Sequence, residues 1–226
     1  MTSSPLSPRI TAGGMVLVDP PTSRVLRVYS FLYYPDTISR TVTPQFAEPD
    51  TGDRLDALRL RAPAIETIRV DLDLDATDWM ATPNRDPASQ LAAQDGLLPQ
   101  LAVLESVLSP SFDQVQTARN EILSGILEIS PIEAPLTIFV WNRRRSVPVR
   151  ITELTANEEM FDPALNPIRA RVSLTLRVLT THDLPYTHAG ANVYLQYLRQ
   201  QESLQRSVPT GTLTDVGSLG LHGVGR

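Results

Sequence analysis

Three aspartates, Asp71, Asp73 and Asp75, alternate with leucine in Asp-Leu-Asp-Leu-Asp-Ala, and that spacing opens a calcium loop. Such a loop needs a glycine at its sixth position for the sharp turn and a bidentate glutamate at its twelfth. Ala76 and Thr82 stand there instead, so the calcium reading fails. The plainer reading is a strand with three carboxylates on one face, a row that repels itself unless a basic row faces it. Arg169, Arg171 and Arg177 supply such a row, on a neighbouring strand or on another subunit. Structural pairing is preferred to metal binding, and the six residues, together with Trp141, are candidates for a subunit contact.

Other reactive side chains are sparse. His182, His188 and His222 are the only histidines, in no His-x-x-x-His or His-Glu-x-x-His spacing, and there is no cysteine, so no zinc site is marked. His182-Asp183 lies just past a strand-like segment, and Ser124-Gly125 lacks the Gly-x-Ser-x-Gly elbow of a hydrolase. A hydrolase acting through His182 and Asp183 stays as an alternative that no motif supports. Gly13-Gly14 and the C-terminal glycines form no phosphate loop. Arg143-Arg144-Arg145 has no interleaved aromatics and reads as a charged hairpin turn after Trp141 that meets an acidic neighbour, not as a nucleic-acid patch. No catalytic, cofactor-binding or metal-binding residue is assigned.

Composition narrows the classes further. The 226 residues carry a formal charge of −5, which gives no electrostatic footprint for nucleic acid or an anionic membrane. All 20 basic residues are arginine, which removes the P-loop lysine, Schiff-base chemistry and the Ser-x-x-Lys hydrolases. Absence of cysteine removes disulfides, Fe–S clusters and thiol catalysis. No apolar run is long enough to span a bilayer, and the opening Met-Thr-Ser-Ser-Pro lacks a signal-peptide layout, so a cytoplasmic site without direct membrane insertion is expected. Nineteen prolines predict many turns and few long helices.

The elements that must position these residues are mostly strands. Ala170, Val172, Leu174, Leu176 and Val178 alternate with Arg169, Arg171, Ser173, Thr175 and Arg177, the period of a half-buried strand. Asp162-Pro163 and Asn166-Pro167 mark the turn before it. Ile68, Val70, Leu72 and Leu74 alternate with Arg69, Asp71, Asp73 and Asp75 in another. Met15–Val18 and Val25–Tyr34 read as a hairpin closed by Asp19-Pro20-Pro21. Val25 to Leu32 is apolar on both faces, which suits a strand covered on both sides or lying at a subunit contact. Residues 44–63 read as a polar loop with a helical turn around Arg54–Leu60. Helical spacing appears over 97–108 and more weakly over 113–127, then over 191–206, with a Gly/Ser/Thr-rich tail after it. Strands are expected over 136–156 and 168–180. Residues 1–13 form an N-terminal arm, 14–180 a β domain with a helical insertion about 97–127, and 181–226 a C-terminal helix and tail. The fold class is mainly β, α+β.

One segment carries a resemblance. Ile151-Thr-Glu-Leu-Thr-Ala-Asn-Glu-Glu-Met-Phe-Asp-Pro-Ala-Leu-Asn-Pro-Ile-Arg-Ala-Arg-Val-Ser-Leu-Thr-Leu-Arg-Val-Leu179 resembles the end of the tube-like domain of contractile injection system proteins. These are phage-tail-like baseplate and inner-tube adaptors that often continue into a LysM module. Trp141-Asn142 stands for the family's strand ending in Trp-Gly, and Phe161-Asp162 through Arg169-Ala170 for its Phe-Asp-x-x-Gly-x-Pro-x-Arg-Ala turn. Phe31-Leu-Tyr-Tyr-Pro-Asp-Thr-Ile-Ser-Arg40 is similar to its Phe-x-Tyr-Asn-Pro segment, and Ile65–Leu74 to its strand with outward acids. The resemblance spans roughly residues 14–180, and 181–226 lacks the LysM pattern. It implies a tube-protein-like β-sandwich or barrel that self-associates, as a hexamer, into a ring coaxial with the inner tube. The partners it implies are the inner tube protein, the hub or spike, and other baseplate or sheath components, within an injection particle. It implies no cofactor and no enzymatic step. A tail tube-initiator or completion protein of a phage or prophage is the related alternative. The C-terminal helix and tail are expected to replace the LysM contact.

Overall fold

The computed structural model describes residues 13–30, 37–47, 58–125, 134–142 and 144–209. The strands are β1 (Gly14–Val18), β2 (Val25–Ser30), β3 (Ile38–Phe46), β4 (Leu60–Asp75), β5 (Leu136–Asn142), β6 (Arg145–Phe161) and β7 (Pro167–Val178), the two period-two segments being β4 and β7. They form one antiparallel sheet in the order β2-β1-β5-β6-β7-β4-β3. Mainly β, α+β is therefore the observed class, and the expected strands 136–156 and 168–180 are present with β5 and β6 joined by the Arg144 turn. The β1–β2 hairpin closes where Asp19 O accepts from Ser23 N at 2.8 Å.

One face of the sheet makes the core. Ile68, Val70 and Leu72 stand opposite Leu176, Leu174 and Val172, and all six are buried. Each such side chain removed from water contributes about 1.5–3 kcal/mol before the entropy of ordering is set against it. Met15, Phe139, Val147 and Val149 continue that core toward the β1 side. Between Ile151 and Glu153 the β6 register slips, and the extra residue, Thr152, donates its hydroxyl to Thr175 O at 3.1 Å.

Helices α1 (Thr77–Met80), α2 (Pro87–Asp95), α3 (Leu98–Glu105) and α4 (Phe112–Leu123) lie between β4 and β5, and α5 (Ala189–Ser207) follows β7. The helix expected over 97–108 is α3, with Leu97, Leu101 and Leu104 in the core while Leu98 and Leu108 stay exposed. The helix expected over 113–127 is α4, started by a capping box of Ser111 and Gln114. Helix α2 was not anticipated: its Ala88, Ser89, Ala92 and Ala93 give a faint apolar period, and its signal is the Asp86 cap before Pro87. Gly96, between α2 and α3, has φ +59°, and a Cβ there would overlap the Pro167 carbonyl oxygen. That close approach lets Leu97 N donate to Pro167 O at 2.8 Å and seats the helices against the β6–β7 turn.

The loop expected over 44–63 is shorter than its prolines suggest, because β3 runs to Phe46 and β4 starts at Leu60. Pro44 and Pro63 sit where the β3–β4 register is irregular, so neither removes a ladder bond. Gln45 Nε2 donates to Pro63 O at 2.7 Å across the gap. The helical turn expected around Arg54–Leu60 lies mostly outside the described residues.

The chain itself keeps the sheet from lying flat. β2 and β3 are the two ends of the sheet, yet only residues 31–37 separate them. Ser30 shares a cross-strand row with Gly14, Val140 and Ser146, and Ile38 shares one with Val70, Leu174 and Leu154. In a flat sheet those rows and strand spacings would place Ser30 and Ile38 roughly 37 Å apart. Eight residue steps of covalent chain reach at most about 29 Å. The sheet is therefore not flat, and the right-handed twist of neighbouring strands brings its two ends toward one another.

Candidate functional site

The outward face of β4 and β7 holds the residues singled out from the sequence. Asp71, Asp73 and Asp75 stand directly opposite Ser173, Arg171 and Arg169. Arg171 Nε donates to Asp73 Oδ1 at 3.1 Å, Arg169 Nε lies 3.9 Å from Asp75 Oδ2, and Ser173 Oγ donates to Asp71. The counter-row is thus on the neighbouring strand of the same chain. Arg177 departs from it: its guanidinium donates to Asp183 Oδ1 at 2.8 Å. Hydrogen bonds from the Thr77 hydroxyl and backbone hold the Asp75 carboxyl below its usual range, with Arg169 adding to the effect. The bond to Asp73 raises Arg171. Every carboxylate in the row has a partner, and exposed pairs of this kind contribute about 0–1 kcal/mol each.

Trp141 is half-buried and stacks on Phe139, with ring centroids 6.2 Å apart and planes at 20°. A Cβ on Gly13 would come within 3.2 Å of the Trp141 ring, so the chain before β1 runs tight against it. Arg144 closes the expected hairpin turn, its backbone N–H donating to Asn142 Oδ1 at 2.8 Å, while Arg143 lies outside the described residues.

Of the residues weighed for a hydrolase, Asp183, His188 and Ser124 are held by local hydrogen bonds of their side chains. Asp183 Oδ2 accepts from the backbone N–H and hydroxyl of Thr180 at 2.9 and 3.0 Å, and its other oxygen takes Arg177. His182 is exposed and donates its backbone N–H to Thr180 Oγ1. His188 caps α5, its Nδ1 accepting from Gly190 N at 3.0 Å. Ser124 Oγ donates back to Asn120 O and Glu121 O. His222 lies outside the described residues. Among the described residues no group of three or more His, Asp or Glu side chains is arranged to hold a metal ion. Nor is any helix among them long and apolar enough to cross a membrane.

The best-built polar cluster was missed in the sequence. Arg40 Nε on β3 donates to Glu66 Oε1 on β4 at 2.5 Å, and its Nη2 donates to Tyr197 Oη on α5 at 3.1 Å. The Tyr197 hydroxyl lies 3.3 Å from Glu66 Oε2 and donates to it. Glu66 is only 7% exposed. Burial and the Glu66 charge push the Tyr197 hydroxyl up, and the bond to Glu66 raises Arg40. The cluster ties an end strand of the sheet to the covering helix. Its signal was available: Glu66 falls in phase with Ile68, Val70 and Leu72, and a charged residue on an apolar face needs a buried partner.

Large apolar side chains remain on the surface at many positions, and four groups of them stand out. Val25, Leu26 and Val28 are each more than half exposed on end strand β2, whose Arg27 guanidinium lies 6.0 Å from the Tyr29 ring centre. Val42 and Phe46 are exposed on β3. Met160, Phe161 and Leu165 crown the β6–β7 turn, and Phe112, Val115, Ile122 and Leu123 line α4, which has no buried residue. Of the two roles expected for the β2 segment, cover on both sides is not found among the described residues. Helix α5 buries Ala191, Tyr194 and Tyr197, whereas residues 201–207 are exposed throughout. No protein-family model matches the chain, and no curated protein matches it significantly.

Proposed function

We propose that this chain is a structural subunit of a contractile injection system, a ring-forming inner-tube or baseplate adaptor that links hub or spike to the tube and supports sheath–tube assembly. The observation that carries the reading is a seven-stranded sheet whose two end strands, β2 and β3, each pair on one side only among the described residues. Such strands present unpaired N–H and C=O groups, and single-copy proteins usually blunt them with charge, bulges or cover. Here β3 carries Pro44 at an irregular register and β2 carries Arg27, yet β2 also presents Val25, Leu26 and Val28 to solvent. A neighbouring copy that adds its end strand completes both ladders, and repetition around an axis closes a ring. The segment from Ile151 to Leu179, whose resemblance points to the same family, forms the central hairpin of that sheet. No covalent chemistry is needed; assembly proceeds by strand pairing and burial of apolar edge residues.

Electron microscopy and light scattering on the purified chain test this. Rings of uniform diameter are expected, and Val28→Lys with Val42→Lys is expected to abolish them while leaving the circular dichroism spectrum unchanged. A wild-type chain that stays single-copy at high concentration, and does not co-purify with tube or sheath, sinks the reading.

A further inference from the structure

The β6–β7 hairpin carries an apolar knob at one end and an apolar groove at the other. At the knob, Met160, Phe161 and Leu165 are 62%, 51% and 78% exposed. The turn beneath them is fixed: Asp162 Oδ1 accepts from the backbone N–H groups of Ala164 and Asn166, both at 2.8 Å, and Oδ2 accepts from Asn166 Nδ2. Asn166 Nδ2 also donates to Gln94 O on α2. Met160 and Leu165 hold φ of +55° and +68°, a conformation that persists only where the surroundings over-determine it.

The groove has a volume of about 310 Å³ and is lined by Val107, Leu108, Leu136, Val149, Ile151 and Leu184, among others. That is the low end for a ligand cavity, roughly 300–1,000 Å³, and suits a few side chains better than a large cofactor. Arg150 stands at the same place, facing Arg177 across the strand pair. Like charges in that position destabilise a sheet. Asp183 neutralises Arg177, whereas Arg150 has no ion pair among the described residues. Apolar side chains with a carboxylate beside them match this groove and its rim. The knob has both, because Glu158 lies two residues before Met160, is exposed, and has no ion pair among the described residues. Ten residue steps of β6, about 33 Å, separate knob from groove, so a copy cannot fill its own groove.

We infer that the hairpin tip of one copy seats in the groove of a second copy, Met160, Phe161 and Leu165 entering the apolar cleft and Glu158 pairing with Arg150. The contact is head-to-tail, with a different surface on each partner, so it propagates from copy to copy. It deepens the self-association of the preceding reading by naming a second contact, distinct from the sheet edges.

The chain lacks cysteine, which makes cross-linking a clean test. Met160→Cys and Leu108→Cys are prepared as separate single variants of the full chain, mixed and oxidised. Covalent heterodimer is expected in roughly tenfold excess over either homodimer. Glu158→Arg on the knob variant should suppress it about tenfold, and Arg150→Glu on the groove variant should restore most of it, as for other close charge pairs across interfaces. Homodimers equal to heterodimer, no covalent product, or a yield unmoved by the charge swap overturns the inference; a groove filled by another segment or another protein gives the second result. Rings seen by microscopy without the cross-link would defeat this contact and spare the ring reading. Cross-linking without rings would do the reverse.

Discussion

Two sets of ion pairs decorate the same strand, β4, and they behave differently because they face opposite ways. Asp71, Asp73 and Asp75 point outward to Ser173, Arg171 and Arg169, where water screens each charge. Glu66 points inward, 7% exposed, and is held by Arg40 from an end strand and Tyr197 from α5. The outer row was conspicuous in sequence and contributes little, since each carboxylate gains a partner only by losing water. The inner cluster was inconspicuous and holds three elements in register, since a buried charge that loses its partner has no water to fall back on. Conspicuous charge patterning in a chain is thus a poor guide to where the polar energetics lie.

The largest effect should come from breaking the inner cluster. Glu66→Ala leaves Arg40 and the Tyr197 hydroxyl facing each other, and is expected to cost about 3 kcal/mol, the lower end for a broken buried pair. The lower end applies because the Arg40 side chain keeps 30% exposure. Urea unfolding followed by circular dichroism reads it. If Arg40→Met, Glu66→Leu and Tyr197→Phe are combined, most of that loss should return, because apolar side chains of similar volume replace such clusters at small net cost. A triple variant as unstable as Glu66→Ala would mean that the cluster contributes net energy and not only specificity.

Much of the fold was legible and much less of the site. Strict alternation in β4 and β7 was visible because one face is buried along most of each strand, so period and burial agree. The spacing of Leu97, Leu101 and Leu104 foretold α3 for the same reason. Helix α2 escaped notice because alanines pack without announcing a face. The 44–63 loop was overdrawn because two prolines that break a central strand are harmless at an irregular end-strand register. Pairing of Asp73 with Arg171 and Asp75 with Arg169 was anticipated in kind, but Arg177 was not separable from its neighbours, since its partner Asp183 lies past the strand end. The Arg40–Glu66–Tyr197 cluster joins residues 26 and 131 positions apart, a distance no local pattern reports.

Tyr197→Phe sharpens the comparison at intermediate size. Removing one hydroxyl from a charged network should cost about 1–2 kcal/mol near neutral pH. The wild-type chain should also lose stability in alkali in a way the variant shares only in part. Burial first, then Glu66, raises the Tyr197 hydroxyl above the ordinary value of 10.0, and Tyr194 is raised by the same two causes. A group raised in the folded state favours folding fully below its unfolded pKa. That contribution fades as pH climbs from about 10 through the folded value. Melting temperatures measured between pH 8 and 11 in wild type and variant should therefore converge toward the alkaline end.

The smallest effect is expected on the outer face, and there the sign is what matters. Asp73→Ala removes an exposed partner of Arg171 and should change stability by no more than about 0.5 kcal/mol. Asp75→Ala should cost more than Asp73→Ala despite its longer ion pair, because Asp75 also accepts from the Thr77 backbone and hydroxyl as β4 gives way to α1. Those bonds hold its folded pKa below the usual carboxylate value. The stabilisation is therefore present above about pH 4 and is lost as pH falls through the depressed folded value. Thermal melts from pH 6 down to pH 2.5 should show wild type and Asp75→Ala drawing together as the acid rises. If the two variants were instead equal at neutral pH, the turn bonds would carry nothing and Asp75 would rank with its neighbours as a solvated surface charge.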